Sequence, residues 1–315
     1  MESHDIDVSV IIVTANRAKM LPTVLAHLEI QSYPSARFEV IVVETRPEAT
    51  LEGERVIERY AAGSPVRLRI INEEEGGIIK ARNTGSQEAQ GRWVLFLDDD
   101  LLAGPKLVEG HVRAQETRDG TCAVIGRLEL HPQIEPRIFT RQYELTTARQ
   151  FVRNQPLRFP DWRAHNLSLP REKVFDAGGF DTTLPCSGLE DVELALRLEQ
   201  SGMAGFYNKQ ACAYIWLHAS MEAEKTRLYG EGYSLHTLIS RGHTDLLHHR
   251  YASLLARWRS PGRGVVASVC SGLCRRLAAD SRLFTRMSRL VLVHSFYEGY
   301  RDAAAKRPPR WTSDS

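Results

Sequence analysis

The 315-residue sequence lacks any cysteine pair at disulfide- or zinc-forming spacing. Its five cysteines, Cys122, Cys186, Cys212, Cys270 and Cys274, are scattered, odd in number and contain no C-x-x-C. Neither a disulfide framework nor a zinc site is therefore indicated, and a reducing compartment is expected. No apolar run approaches the roughly 20 residues needed to span a bilayer, and the late stretch Leu290–Val293 falls far short. The acidic opening, Met1 to Asp7, has none of the charged-then-apolar layout of a signal peptide, so a cytoplasmic location is expected. No G-x-G-x-x-G follows the first predicted strand, which argues against a dinucleotide-dependent dehydrogenase. Repeats and low-complexity segments are also missing. What remains is ordinary for a globular protein, 43% hydrophobic and 25% charged. The length suits one large α/β domain or a domain with an appendage.

Charge is unevenly spread. Of 41 basic and 39 acidic residues, 16 and 8 fall in 221–315, leaving 25 and 31 before it. An acidic front with a basic tail implies two zones, 1–220 and 221–315, the second able to face something anionic.

The most informative stretch is Arg92–Pro105. Trp93 to Leu97 is a continuous apolar run, the signature of a strand buried on both faces. It runs directly into Asp98, Asp99 and Asp100 and then a Gly104-Pro105 break. Three adjacent ionised carboxylates repel one another, so a cation is expected nearby, and hard oxygen ligands suit Mg²⁺ or Mn²⁺. The competing reading is a solvated turn in which one aspartate caps the next helix.

Around this stretch the pattern alternates. Strands are predicted at Asp7–Thr14, Phe38–Glu44 and Val66–Ile71. Helices are predicted at Met20–Ile30, at Leu51–Ala61 and from Gly76-Gly77 to about Gln90. Such alternation with short connections implies a doubly wound, mostly parallel sheet flanked by helices, with ligands at the carboxyl ends of its strands. Further on, Pro105–Glu116 and Arg171–Ala177 read as helices, and Thr121–Leu130 and Asp161–Pro170 as strands. Residues 134–159, punctuated by Pro136 and Pro156, read as either a substrate loop or an irregular crossing. Glu190 to Gly202 carries an apolar helical stripe with two acids in its first turn, where the macrodipole alone would favour them. Met203–Tyr207 and Ala211–Leu217 read as two short strands. In the tail, Asp245–Trp258 and the arginine-rich Arg275–Arg301 have helical spacing.

In order, these landmarks resemble a glycosyltransferase of family 2 with the GT-A fold. Thr14-Ala15-Asn16-Arg17 is similar to the first nucleotide loop, Lys80 to Gly85 to the A-R-N-x-G helix, and Leu97 to Asp100 to the D-x-D element. Gly178-Gly179-Phe180-Asp181 followed by Glu190-Asp191-Val192-Glu193 and Arg197 resembles the G-G-F-D and E-D-x-(D/E)-L-x-x-R pair. His218 stands where many relatives place a metal-binding histidine. The correspondence covers about residues 7–220. Two departures stand out. The second strand ends Glu44-Thr45-Arg46-Pro47 where the family has paired acids before Gly or Ser, and Ala15 replaces an aromatic. The preferred base therefore stays open, with a UDP-sugar the first expectation.

The resemblance implies an inverting transfer of sugar from a nucleotide-diphosphate sugar to an acceptor hydroxyl. Asp100 and His218 would hold Mn²⁺ or Mg²⁺, and Asp98 and Asp99 would meet the donor together with Thr14, Ala15, Arg17, Glu44 and Lys80. Asp191 would be the general base and Glu190 would orient the acceptor, with Trp162 and Asn166 lining its pocket. Each has a plainer alternative: His218 as a core histidine, Lys80 as a solvated helix cation, Trp162 and Asn166 as packing and a strand end, and Glu193 as a structural residue. Candidate acceptors are a glycan, a lipid-linked sugar, a natural product or a peptide, and no nucleic-acid partner is expected. A sugar nucleotidyltransferase is disfavoured because Thr14–Arg17 is short and glycine-free. A retaining transferase and a non-catalytic binding protein of the same fold are the rival functions. The tail either packs helices and shapes the acceptor site or rests Arg275, Arg276, Arg282, Arg286 and Arg289 on the inner face of an anionic membrane. Packing needs no additional partner and is preferred.

Overall fold

The computed structural model describes residues 5–14, 20–45, 63–73, 77–134, 156–216, 220–248, 263–274 and 282–310. These form two compact units, one drawn from 5–134, 156–182 and 191–216, the other from 183–190 and 220–310.

The first unit is built on an eight-stranded sheet. In chain order its strands are β1 (Val8–Thr14), β2 (Phe38–Glu44), β3 (Arg67–Asn72), β4 (Trp93–Leu97), β5 (Leu101–Ala103), β6 (Ala123–Leu130), β7 (Asn166–Pro170) and β8 (Gly205–Ile215). They lie in the order β3-β2-β1-β4-β7-β6-β8-β5. The β3-β2-β1-β4 half is parallel throughout. The other half is mixed: β7 runs antiparallel to β4 and β6, and β5 antiparallel to β8, while β6 and β8 are parallel. The parallel half follows from sequence, because β1, β2 and β4 are β-branched or apolar runs buried along their length. Helices α1 (Leu21–Glu29), α2 (Gly77–Glu88), α3 (Leu107–Glu116), α4 (Arg171–Asp176) and α5 (Glu190–Gln200) flank the sheet. In α1 the buried residues are Leu21, Val24, Leu25 and Leu28, the spacing of one helical face.

Three elements depart from expectation. Leu101–Ala103, for which no element is predicted, is a strand. Residues 205–215 form one continuous strand, because the polar stretch between its apolar ends bulges within the ladder to β6. Of Asp161–Pro170 only Asn166–Pro170 is extended, preceded by a short 3₁₀ turn. The helix expected over Leu51–Ala61 lies outside the described residues, as does most of the 134–159 crossing.

A buried polar network crosses the core. His111 Nε2 lies 2.8 Å from Asn166 Oδ1 and its Nδ1 2.9 Å from Ser168 Oγ. Both amide protons of Asn166 face carbonyls, so Oδ1 is the acceptor and the ring carries its proton on Nε2. Burial pushes His111 down to about 4, the Asn166 hydrogen bond drawing it partly back. The unfolded ring binds its proton near 6.5, so the stabilisation is whole above that pH and is lost as pH falls toward 4. The expected loss is about 3 kcal/mol over this window. Urea denaturation at pH 7 and pH 4.5 measures it, and imidazole NMR should show His111 untitrated between pH 8 and 5.

The second unit is helical. α6 (Met221–Ser240) is capped by Ser220, whose Oγ accepts the Ala223 N–H at 3.1 Å. It is followed by α7 (Arg263–Cys274) and α8 (Arg282–Ala304). α6 carries no apolar stripe to announce it: its buried residues include Glu224, Glu231 and two glycines. Arg227 bridges both acids, 2.8 Å from Glu224 and 2.6 Å from Glu231. Asp302 on α8 accepts from Tyr229 at 3.1 Å and from Arg310 at 3.0 Å. Met287 and Val291 pack with Cys270 and Cys274, so this face of α8 is buried within its own unit. Of the five tail arginines only the Arg289 side chain is described, and it is exposed. Leu247's side chain, Tyr251, Leu254 and Trp258 lie outside the described residues. Among the described residues no helix is long and apolar enough to cross a membrane.

Candidate active site

The carboxyl ends of β1 and β4 meet at the aspartate triplet. Thr14, the last residue of β1, donates its Oγ1–H to Asp99 Oδ2 at 2.7 Å, and both are buried. Asp99 is thereby turned inward, and Asp98 and Asp100 on either side are the two that remain half-exposed. The three aspartates form a turn between β4 and β5, in which Leu101 N–H donates to Asp98 O at 3.2 Å. The Asp98 N–H donates to His165 O at 3.3 Å, and the Asp100 carbonyl accepts from Trp216 N–H at 3.2 Å. On the β2 side Glu44 is buried and its carbonyl accepts from Glu73 N–H at 2.8 Å. Lys80 pairs with Glu73 at 2.9 Å, and Glu73 also accepts from Thr84 Oγ1 at 2.6 Å.

Two arginines and two carboxylates share the mouth of this edge. Arg82, buried on α2, reaches Asp98 Oδ1 with Nη2 at 3.5 Å. Asp98 is crowded by protein although 40% of its side chain still reaches the opening. That desolvation, with repulsion from Asp100, Asp99 and Asp191, lifts it to about 7 against the pull of Arg82. Asp191, on the first turn of α5, is equally enclosed and burial raises it. The charges of Arg163 and Arg82, with the Ala164 N–H, outweigh burial and hold Asp191 below its ordinary value. Its Oδ2 accepts from Ala164 N–H at 3.1 Å and lies 3.2 Å from Arg163 Nε, while Oδ1 accepts from Val192 N–H at 2.8 Å. The cluster therefore holds one carboxylate short of positive charge beside one that is ionised at neutral pH. Hard oxygens with unneutralised charge suit a divalent cation. Among the described residues no three His, Cys, Asp or Glu side chains converge on one point.

Other motif residues lock this geometry and touch none of these acids. Asn83 clasps the Phe180 backbone, donating from Nδ2 to its carbonyl at 2.9 Å and accepting its N–H at 2.8 Å. Arg197 binds Glu193 with two bonds of 2.6 and 2.7 Å and the Gly179 carbonyl at 2.6 Å, and also donates to Ala177 O. Glu193 is thus the structural residue its spacing suggested. Gly179 has φ +72°, and a Cβ there would sit 2.6 Å from Asn83 Oδ1, whereas at Gly178, φ +79°, a Cβ meets open space. Gly178→Ala should cost about 1–2 kcal/mol for its backbone alone. Gly179→Ala should cost clearly more, and paired urea titrations measure the difference.

Trp162 has no exposed surface; its indole N–H donates to Leu157 O at 3.2 Å. Asn166 is equally enclosed, every polar atom engaged inside the fold. Neither lines a pocket, so the acceptor role expected of them is corrected: both are interior residues. Glu190, within the second unit, is buried and accepts the Gly188 N–H at 2.5 Å. Ala15, Arg17 and His218 lie outside the described residues. Arg163 was missed, because nothing in its spacing separates it from other surface-type arginines.

Residues 9–164 match the family described as Glycosyl transferase family 2. Among curated proteins, a validoxylamine A glucosyltransferase of Streptomyces hygroscopicus subsp. jinggangensis is 27% identical over 298 residues, covering 85% of this chain and 67% of the relative. A glycosyltransferase of Haemophilus influenzae, described as uncharacterized, is 29% identical over 229 residues, covering 69% of this chain and 71% of its own. Among solved structures, the mannosyltransferase PcManGT from Pyrobaculum calidifontis, in complex with GDP-Man and Mn²⁺, superposes with a TM-score of 0.63 at 19% identity, covering 92% of this chain and 86% of that one. Residues 1–349 of S. aureus TarS in complex with UDP give 0.53 at 14% identity, over 96% and 92%.

Proposed function

Because this chain is a glycosyltransferase of family 2 with the GT-A fold, we propose that it moves a sugar from a nucleotide-diphosphate donor to an acceptor hydroxyl with inversion, assisted by a divalent cation. The observation that carries the reading is the single cluster of Asp98, Arg82 and Asp191. It joins the donor-side triplet to a carboxylate ready to take a proton.

The roles follow from the chemistry. Asp100 and His218 would hold the cation. When bound, the cation neutralises charge growing on the leaving diphosphate. Asp98 meets the ribose or a cation-bound water, and Arg82 adds a guanidinium beside it. Thr14 serves indirectly by fixing Asp99, and Glu44, Ala15, Arg17 and Lys80 line the nucleotide end. Asp191 takes the acceptor proton on Oδ1, the oxygen turned away from Arg163 and Ala164, as the hydroxyl attacks. Its lowered pKa keeps it ionised at neutral pH, and Arg163 steadies it in that state. Glu190 orients the acceptor. No glycosyl-enzyme intermediate is required, so the anomeric configuration inverts. Domain 1–220 performs this chemistry.

A thermal-shift panel of UDP-, GDP- and dTDP-sugars with Mn²⁺ tests the donor assignment. One nucleotide class should raise Tm in Mn²⁺ and less so in EDTA. Absence of any shift across the panel would contradict the reading.

A further inference from the structure

We propose that Asn166 is a positioning residue: its side-chain amide ties the strand that delivers Asp98 to the strand pair that delivers Asp100, and so presets the spacing of the two acids. The role of those acids rests on the function proposed above; the tie itself is a matter of geometry.

The starting point is a fault in the sheet. β6 and β8 run in register from Ala123 opposite Gly205 to Gly126 opposite Asn208, then resume with Arg127 opposite Cys212. β8 therefore carries Lys209, Gln210 and Ala211 as extra residues, and the ladder breaks at the carbonyls beside them. Asn166 reaches in from β7 and repairs the break. Its Nδ2 donates to Arg127 O at 3.2 Å and to Ala211 O at 3.0 Å, while Oδ1 accepts from His111 at 2.8 Å. A primary amide alone offers two N–H donors and an acceptor at this span. An aspartate would set a carboxylate against two carbonyls, and a serine offers one donor on a shorter arm. The space is reserved for it, since a Cβ on Gly126 would lie 2.2 Å from Asn166 Nδ2 and 2.4 Å from Ala211 O.

Both acids connect to this joint. Asn166 pairs with Leu97, the last residue of β4, and the preceding carbonyl, His165 O, accepts the Asp98 N–H at 3.3 Å. On the other side, the register that β8 takes after its bulge puts Ile215 opposite Leu101 and brings Trp216 N–H to the Asp100 carbonyl at 3.2 Å. Releasing the amide frees β8 to slip against β6 while β4 stays with β7, and the spacing between Asp98 and Asp100 changes with it.

Hydrogen exchange on the ligand-free chain tests this without any substrate. In Asn166→Ala the amides of Asp98, Leu101 and Trp216 should exchange about tenfold or more faster, with those of Val10 to Ile12 and Val40 to Val42 unchanged. Gly126→Ala, which enters the same joint from the other strand, should reproduce the pattern. Asn166→Ser, keeping one donor, should be intermediate and serves where alanine does not fold. Acceleration confined to residues 126–127 and 208–212, or spread equally over β1 and β2, would overturn the proposal. Calorimetry adds a second arm: the affinity of whichever of UDP or GDP binds the wild type in Mn²⁺ should fall about tenfold. Failure of both nucleotides to bind the wild type would count against the proposed function, while the exchange pattern still decides the tie.

Discussion

Asp191→Asn should lower the rate of sugar transfer by about 10²–10⁴ while the donor dissociation constant stays within a few-fold. The asparagine keeps the size of the side chain and an oxygen for the Ala164 N–H. What it loses is the charge that Arg163 and Arg82 stabilise, and with it the site that receives the acceptor proton. The donor binds on the triplet side, so its affinity has no reason to follow. The opposing possibility is concrete, because Asp191 also accepts the Val192 N–H in the first turn of α5. If Asp191 served only as a helix cap, the variant would lose stability and donor affinity together with rate. Measuring kcat, donor Kd and Tm on the same preparation separates the two.

Asp100→Ala, or chelation with EDTA, should remove transfer to below about a hundredth of the wild-type rate, since cation assistance to a leaving diphosphate is worth several kcal/mol. The folded state should not suffer. Asp100 helps push Asp98 up to about 7, so deleting its charge relieves repulsion, and the ligand-free Tm should hold or rise, most clearly above pH 7. Activity lost with Tm preserved is the expected pair. Full activity in EDTA would remove the cation from the account.

The parallel half of the sheet was legible because its strands are short apolar runs ending in polar residues: Phe38–Glu44 and Trp93–Leu97 match their predicted limits. The position of Asp98, Asp99 and Asp100 was legible for a related reason, since carboxylates directly after a buried strand must lie at its carboxyl edge. Less was readable where one residue type serves two purposes. Asn166 looked like a polar residue at the mouth of a site, yet its amide mends a bulge that periodicity cannot reveal. Thr14 looked like a donor ligand, yet its hydroxyl anchors Asp99. Arg163 carries no spacing signal, because its partner Asp191 lies 28 residues further along the chain. Helix Met221–Ser240 was hidden since it buries acids, tyrosines and glycines on several sides and so shows no stripe.

Transfer with inversion from a nucleotide-diphosphate donor, carried out by Asp98, Asp100 and Asp191, has a direct stereochemical readout. Proton NMR of the wild-type chain with Mg²⁺, which is diamagnetic and keeps the sugar resonances sharp, observes this directly. The donor is the one that stabilises the chain, and water or an added polyol serves as acceptor. An α-linked donor should be consumed and the β-anomer should be the first product to appear, with Asp191→Asn leaving the donor intact. First appearance of the α-anomer, or a donor that binds and is never consumed, would contradict it.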